Sequence, residues 1–311
     1  MPSTLTHYIF NKEYIKDPDY SDIFLLGGQG ADVLFFYGYS LSKREDAKDI
    51  RNLGATIHQI NPDKLFMKML SYAFKQENDE KKILISFVRG FMYHYCLDRQ
   101  LHPYVFYNTG FPYTNKIYNK YHGQFESILD TLLMKKNNCN KSTRSVLKAD
   151  KCRVKLVSKM LALVLNDYFN TNIVKEDTYY KAYKDFRLVR LVIDSKWGVK
   201  KSIFEKIIPD SPINNICQPH KVKDAKEYDY LNESNKIWIH PSSGVESNES
   251  VDDIMYKAML DGRIVDTIIY NYKDNLVTER KITKFTQNIN HDGKNLDNYM
   301  IYFKLIWDNK Q

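Results

Sequence analysis

The sequence predicts an all-α protein, a single multi-helix domain. Apolar residues recur at three- and four-residue spacing through six long segments, which is the pattern of helices with one buried face. No segment alternates apolar and polar residues convincingly enough to indicate a ladder of strands. The chain has 311 residues, of which 43% are hydrophobic, so it is long enough to bury one large core.

The six predicted helices follow one another along the chain. Asn61 and Pro62 are typical of a helix start, and Asn78 is a candidate cap for the second helix. His102 precedes Pro103, which disfavours the α conformation, so the second helix should end at His102. The predicted helices cover residues 63–76, 80–100 with a frayed end at His102, 113–136, 151–169, 179–195 and 251–272.

Two stretches interrupt this pattern. Residues 209–250 contain four prolines among polar residues and predict a long irregular insertion within one domain that spans residues 1–311. The segment GGQGADVLFFY at residues 27–37 is rich in glycine, but it lacks the Lys-Ser/Thr pair and the βαβ context of a phosphate loop. We expect its glycines to bend the backbone so that Asp32 points inward, although a turn or cap role for Asp32 is the alternative.

Composition excludes several classes of protein. The N-terminal stretch has no basic region followed by an apolar run, and no segment approaches the ~20 apolar residues of a membrane span. The four cysteines have irregular spacing without a CxxC pair, which predicts free thiols in a reducing compartment. We therefore expect a cytoplasmic protein. The net charge of +8 is modest for this length, and nothing indicates an obligate protein partner.

The segment FMYHYCLDRQLHP at residues 91–103 places three titratable side chains in an apolar run. His94, Asp98 and His102 are four residues apart, so on a helix they form one polar stripe. Buried imidazoles and carboxylates need partners, because an unpaired buried charge is costly. Those partners are each other, water or a metal ion.

A second stripe of the same kind lies in YHGQFE. His122 and Glu126 are again four residues apart, and imidazole with carboxylate is a ligand set that zinc accepts. The same ligands suit iron and manganese, so ligand type alone does not choose the metal. A single pair of this kind is more often a core histidine held by a carboxylate. Two pairs within 35 residues, with His102 on the first stripe, favour a metal site.

The order of these motifs resembles one known family. PSTLTH, GGQGADVLFFY, GATIH, GFMYHYCLDRQLHPY and YHGQFE follow one another over residues 2–126 as in the bacterial zinc-dependent phospholipase C family, whose fold is shared with the single-strand P1-type nucleases. A weaker similarity extends over residues 237–258. The resemblance implies an all-helical fold with up to three zinc ions in one cleft.

The resemblance also implies roles for particular residues. Asp32, His58 and His94 would bind one ion, and Asp98 would bridge to a second ion bound by His7. A further ion would be bound by His102, His122 and Glu126. The secreted phospholipases begin with a tryptophan that ligates metal, whereas the tryptophans here are Trp197, Trp238 and Trp307, so we expect two or three ions.

The expected reaction is hydrolysis of a phosphate ester, with Asp32 as the catalytic residue that orients or deprotonates water. A phospholipid is the first substrate candidate, which would involve transient contact with a membrane surface. A nuclease acting on single-stranded nucleic acid is the alternative within this fold, and a non-catalytic metal- or lipid-binding protein is the alternative outside it. Phe35, Phe36 and Tyr37 could line the cleft, but core packing is the simpler expectation. His220, His240 and His291 are expected in surface or structural roles.

Overall fold

The computed structural model describes most of the chain and is mainly helical. The described residues are 4–39, 44–111, 114–194, 199–207, 217, 222, 227–273 and 276–307. Within them, the α-helices are α1 (Thr4–Lys12), α2 (Ser21–Gly27), α3 (Ala47–Gln59), α4 (Asp63–Phe74), α5 (Asn78–Thr109), α6 (Lys116–Lys136), α7 (Thr143–Val146), α8 (Lys151–Phe169), α9 (Thr178–Ile193), α10 (Val199–Ile207), α11 (Val251–Tyr270) and α12 (Leu276–Thr286). The all-α prediction is confirmed at this level.

Helix α5 is the central element of the fold. It packs against α2, α4, α6, α8 and α11, and its side chains from Leu84 to Phe106 are mostly buried. The backbones of α2 and α5 approach closely where Gly27 meets Gly90, and a Cβ on either glycine would overlap the other helix. Close approach of this kind holds the two helices rigidly, because packed interiors do not deform continuously.

Two partly buried ion pairs link α11 to α5. Arg89 Nε lies 2.6 Å from Asp266 Oδ1, and Arg99 Nη2 lies 2.8 Å from Asp261 Oδ1. Arg89 donates two hydrogen bonds to Asp266, and Arg99 donates to Asp261 and to the carbonyl of Phe285, so the planar guanidinium groups restrict the rotation of α11 about its axis. The result is a rigid support beneath the face of α5 that carries the polar stripe.

The predicted end of the second helix at His102 is wrong. Helix α5 continues through Pro103 to Thr109 and ends at Gly110, whose φ is +74° and whose N–H donates to the carbonyl of Phe106. Proline removes one helical hydrogen bond, but Val105 and Phe106 beyond it are buried in the core. Packing of these side chains therefore outweighs the local preference of the residue before proline.

The other predicted helices are found close to their expected bounds. Helix α8 has the predicted bounds because Asp150 accepts from the N–H groups of Cys152 and Arg153 at its start and Asn170 adopts a left-handed conformation at its end. The predicted extensions at residues 113 and 195 lie outside the described residues. Asn78 is the first residue of α5 and does not cap it.

The predicted irregular connection at residues 209–250 is described mainly from residue 227 onward. His220 and the three prolines before it lie outside the described residues. The later part contains a short antiparallel hairpin, β1 (Trp238–Ile239) with β2 (Glu246–Ser247), in which Trp238 is opposite Ser247. Two residues per strand are too few to produce an alternating pattern in the sequence. The cysteines Cys96, Cys139, Cys152 and Cys217 are free thiols, as predicted.

The elements pack around one contiguous hydrophobic core that includes residues from Leu5 to Trp307. Among the described residues, no helix combines the length and the apolar character that crossing a bilayer requires.

Candidate metal centre

The eight side chains predicted as metal ligands are all buried, with exposures of 8% or less. They come from five separate helical segments, and the structure brings them together as three groups. Within each group, one nitrogen or oxygen atom per residue lies within 4.8 Å of the others. The groups are His7, His94 and Asp98; Asp32, His58 and His94; and His102, His122 and Glu126.

Asp98 lies at the centre of the first two groups. Its Oδ1 is 3.1 Å from Nε2 of His7, and its Oδ2 is 3.1 Å from Nε2 of His94 and 3.8 Å from Nε2 of His58. His58 Nε2 is also 3.1 Å from Oδ1 of Asp32. The carboxylate of Asp98 therefore touches ligands of both groups, which is the arrangement that a bridging role requires.

The third group is built from α5 and α6. Nε2 of His122 lies 3.3 Å from Oε1 of Glu126, and Nε2 of His102 lies 3.5 Å from the same oxygen. The ring of Phe106 stacks on both histidine rings, with centroids 5.3 Å apart in each case. One wall of this group is therefore apolar and aromatic.

Two backbone carbonyls orient histidine rings in the centre. The Nδ1–H of His58 donates to the carbonyl of Gly54 at 2.8 Å, one turn earlier in α3. The Nδ1–H of His102 donates to the carbonyl of His291 at 2.8 Å. Because a carbonyl only accepts, Nδ1 is protonated in both rings, and loss of the proton from Nε2, which faces the carboxylates, leaves the tautomer with its lone pair on Nε2. This is the tautomer in which histidines of metal sites usually bind.

The three carboxylates are held in the ionised form. Burial alone would raise their pKa values, but the surrounding histidines outweigh it. The pKa of Asp32 falls to about 2, chiefly through the hydrogen bond with His58, and the pKa values of Asp98 and Glu126 lie well below normal. Ionised carboxylates in a buried site are suited to a cation.

The pKa values of His94, His122 and His102 shift in different directions. Burial lowers the pKa of His94 and of His122, so these imidazoles are neutral at pH 7 and have a lone pair available. Burial acts in the same direction on His102, but Asp98 and Glu126 outweigh it and raise its pKa to about 10. In the metal-free chain His102 therefore carries a proton that an incoming cation must displace.

The backbone around Asp32 has the bend that the glycine-rich segment predicts. Asp32 lies in a 3-10 helix, Gly30–Phe36, and its side chain is 4% exposed and faces His58. Gly30 has φ +53°, and a Cβ at this position would overlap the ring of His94. Only glycine satisfies both the left-handed conformation and the close approach of this ring.

The aromatic residues after Asp32 belong mainly to the core. Phe36 and Tyr37 are 3% and 2% exposed, and Phe36 stacks on Phe186 with centroids 4.3 Å apart. Phe35 is partly buried, and its ring lies 5.4 Å from that of His58. Core packing is thus the better description of two of the three, and Phe35 is the one next to the centre.

Sequence reasoning missed the loop that closes the centre from the other side. His291 was expected in a surface or structural role, and it is fully buried, with its ring 5.0 Å from that of His58. Its N–H donates to the carbonyl of His58 and its own carbonyl accepts from His102, so its role includes a structural link between two groups. Asp292 beside it is buried, which raises the pKa of its carboxyl group. No spacing in the sequence connects this loop to residues more than 180 positions earlier.

A second missed residue had a signal in the sequence. Asp130 continues the spacing of His122 and Glu126 by one more turn of α6 and is fully buried. It joins none of the three groups and contacts α1 instead.

Comparison of the chain with family models, with curated proteins and with solved structures finds no match.

Proposed function

We propose that the chain is a metal-dependent phosphoric ester hydrolase that resembles phospholipase C, adopts the phospholipase C/P1 nuclease fold and uses two or three zinc ions. The observation that carries the proposal is the convergence of eight buried imidazole and carboxylate side chains from five helical segments into three adjoining groups. A purely structural polar core would not require the same pairing of histidine with carboxylate three times.

The donor set supports zinc. Each group combines imidazole nitrogen with carboxylate oxygen and offers three protein ligands. Three ligands with one open position is the usual arrangement of catalytic zinc, whereas structural zinc is closed by four. Several side-chain nitrogen atoms in the first two groups, including Nδ1 of His7 and of His94, have no hydrogen-bond partner among the described residues. The protein's own groups therefore do not satisfy the hydrogen-bonding capacity of this centre. Bound zinc would lower the pKa of a coordinated water and neutralise developing charge on phosphoryl oxygens.

The chain's own residues perform the remaining tasks. Asp32 stays ionised at neutral pH, so it can accept a hydrogen bond from water and orient it toward phosphorus. His58 holds this carboxylate in place through its 3.1 Å contact, while the carbonyl of Gly54 fixes the ring of His58. Asp98 keeps the first two groups at a fixed separation by touching histidines of both.

A phospholipid is the preferred substrate class. Phe106 lies against the third group, and an aromatic chain leads from it to the surface, with Phe106 near Phe111 and Phe111 near Phe303. Phe303 is 39% exposed. A row of aromatic side chains that leads from the centre to solvent-exposed Phe303 is suited to a substrate that is part polar phosphate and part hydrocarbon.

The test is turnover by zinc-loaded protein on three substrates: phosphatidylcholine vesicles, single-stranded DNA and bis(4-nitrophenyl) phosphate. We expect release of a phosphorylated head group from the vesicles. Cleavage of DNA alone, with strong dependence on salt, would identify the nuclease instead. Zinc bound at stoichiometric levels without turnover of any substrate would identify a non-catalytic metal-binding protein. Reloading with iron or manganese before the same assay identifies the metal that supports activity.

His94→Ala is the decisive variant because His94 belongs to two groups. It should lose bound zinc and activity while keeping the helical circular dichroism spectrum, since alanine favours the helix more than histidine does. His240→Ala is the matched control. His240 lies outside the three groups, and its Nδ1 only accepts from the N–H groups of Ser242 and Ser243. Full zinc content in His94→Ala would exclude His94 as a ligand.

A further inference from the structure

Helix α6 carries a third acidic side chain in line with two members of the candidate centre. His122, Glu126 and Asp130 are spaced four residues apart, so they lie on one face of α6. The first two belong to the third group, whereas Asp130 belongs to none, and its side chain is 0% exposed. A fully buried carboxylate outside the metal groups must have other partners.

Those partners are the first turn of α1. Asp130 Oδ2 accepts from the N–H of Leu5 at 3.1 Å, and Oδ1 accepts from the N–H and from Oγ1 of Thr6, both at 2.7 Å. The first N–H groups of a helix have no partner within the helix, and the positive end of the helix dipole favours a negative charge. Helix α1 has no acidic residue in its own first turn. The carboxylate therefore comes from α6, 124 residues away along the chain.

The same short helix carries His7. It follows Thr6 directly, and its Nε2 lies 3.1 Å from Oδ1 of Asp98 on α5. The position of His7 is thus set by where the first turn of α1 is held. Among the described residues, Thr4 has a longer contact to another element, 3.3 Å from Nε2 of Gln29 to its carbonyl oxygen. Asp130 thus makes three hydrogen bonds to Leu5 and Thr6, and it brings a negative charge to this end of α1.

We propose that Asp130 is a positioning residue that docks α1 on α6 and so completes the group formed by His7, His94 and Asp98. The inference rests on the proposed function, because it assigns this group to a metal. In this arrangement α6 supports two groups. It supplies His122 and Glu126 to the third group, and through α1 it holds His7 of the first group in position. Both groups therefore depend on α6 as well as on α5, which carries His94, Asp98 and His102.

Asp130→Asn tests the proposal. An amide offers one oxygen and places a donor where the second oxygen accepted, so α1 loses an acceptor and the charge. We expect amide hydrogen exchange of residues 5–12, measured by mass spectrometry on metal-free protein, to become on the order of tenfold faster. The zinc held with His7 should bind about 10- to 100-fold more weakly, which is the usual effect of losing a supporting residue. The zinc held by His102, His122 and Glu126 should remain.

Two controls separate positioning from ligation and from general loss of stability. His7→Ala should lose the same zinc without faster exchange in α1, because it removes a ligand and leaves the anchor. Asp229→Asn removes a carboxylate that likewise accepts from two backbone N–H groups, of Glu233 and Ser234, and from the Ser234 hydroxyl, and that belongs to none of the three groups. It should change neither the exchange of α1 nor the zinc content.

Thr6→Val is a milder variant that tests the same anchor if Asp130→Asn does not fold. This variant keeps the shape of the side chain and removes only the Oγ1 contact. It should change both readouts in the same direction by a smaller factor. Wild-type exchange and wild-type zinc content in both Asp130→Asn and Thr6→Val would overturn the proposal. If the wild type itself binds no zinc, the proposed function fails, and the exchange measurement still decides whether Asp130 anchors α1.

Discussion

Replacing Asp98 by asparagine should remove more metal than any other single carboxylate change. The side chain of Asp98 is within 3.1 Å of His7 and His94 and within 3.8 Å of His58, so it contacts ligands of two groups. The histidines that Glu126 contacts among the described residues, His102 and His122, both belong to one group. Asparagine keeps the size of aspartate and one acceptor oxygen, so the substitution tests charge and not packing.

The magnitude follows from Coulomb's law. Two unit charges about 4 Å apart interact by roughly 4 kcal/mol at an effective dielectric constant near 20, and the interaction with a dication is larger. Loss of the charge of Asp98 should therefore weaken the binding of each neighbouring zinc ion by at least about 100-fold. Two dications side by side also repel each other, and the shared carboxylate reduces that repulsion. Asp98→Asn should lose more than one zinc equivalent, and Glu126→Gln about one or fewer.

The assay is the zinc-to-protein ratio after gel filtration, measured by mass spectrometry for wild type and both variants in the same buffer. Urea denaturation of the metal-free proteins provides the control that each variant is folded. The bridging assignment is refuted if Asp98→Asn retains as much zinc as Glu126→Gln, or if the wild type never holds more than one ion.

Two further predictions concern protons and backbone. The pKa of His102 near 10 lies above the ~6.5 of an unfolded histidine, so its stabilisation of the metal-free protein is complete below about pH 6.5 and is lost as the pH rises through 10. Zinc binding near pH 8 should release this proton, which calorimetry in buffers of different ionisation enthalpy detects; no release would contradict the assignment. Gly30→Ala forces a Cβ against His94 at φ +53° and should cost about 1–3 kcal/mol in urea denaturation and weaken zinc binding. The control is Gly244→Ala, at a position with φ +71° whose nearest neighbour is Tyr302, and it should lower stability while zinc binding is unchanged. Equal zinc affinity in the two variants would count against the contact at His94.

Periodicity in the sequence predicts the long helices well and the short ones poorly. Helix α8 has clear cap residues at both ends, so its bounds could be predicted. Helix α1 is buried on nearly all sides from Thr4 to Asn11, so it has no polar face and no periodic signal. Helix α3 is not among the six predicted helices, although its buried residues Ile50, Leu53 and Ile57 recur every three or four positions and could have predicted it.

The candidate site was more predictable from local spacing than from the overall fold. His94 and Asp98 stand four apart on α5, as do His122 and Glu126 on α6, and these pairs identify two of the groups. The spacing could not show that His102, although it lies on α5, is grouped with His122 and Glu126 of α6. That division depends on how α5 crosses α6, which is a tertiary property.

The remaining members of the site depend on contacts between distant parts of the chain. The loop at His291 approaches α5 closely where Gly293 packs against Pro103, at a point where a Cβ would not fit. Asp130 had a local signal, but its target in α1 is 124 residues away. No pattern within one helix specifies such a partner.

The most direct test of the metal centre is the anomalous scattering of zinc-loaded crystals at the zinc absorption edge. We predict two or three peaks, each about 2.0–2.2 Å from a histidine Nε2 or a carboxylate oxygen of the three groups, with Asp98 shared between two of them. The absence of any peak among these eight side chains, in protein that binds zinc elsewhere or not at all, would contradict the account.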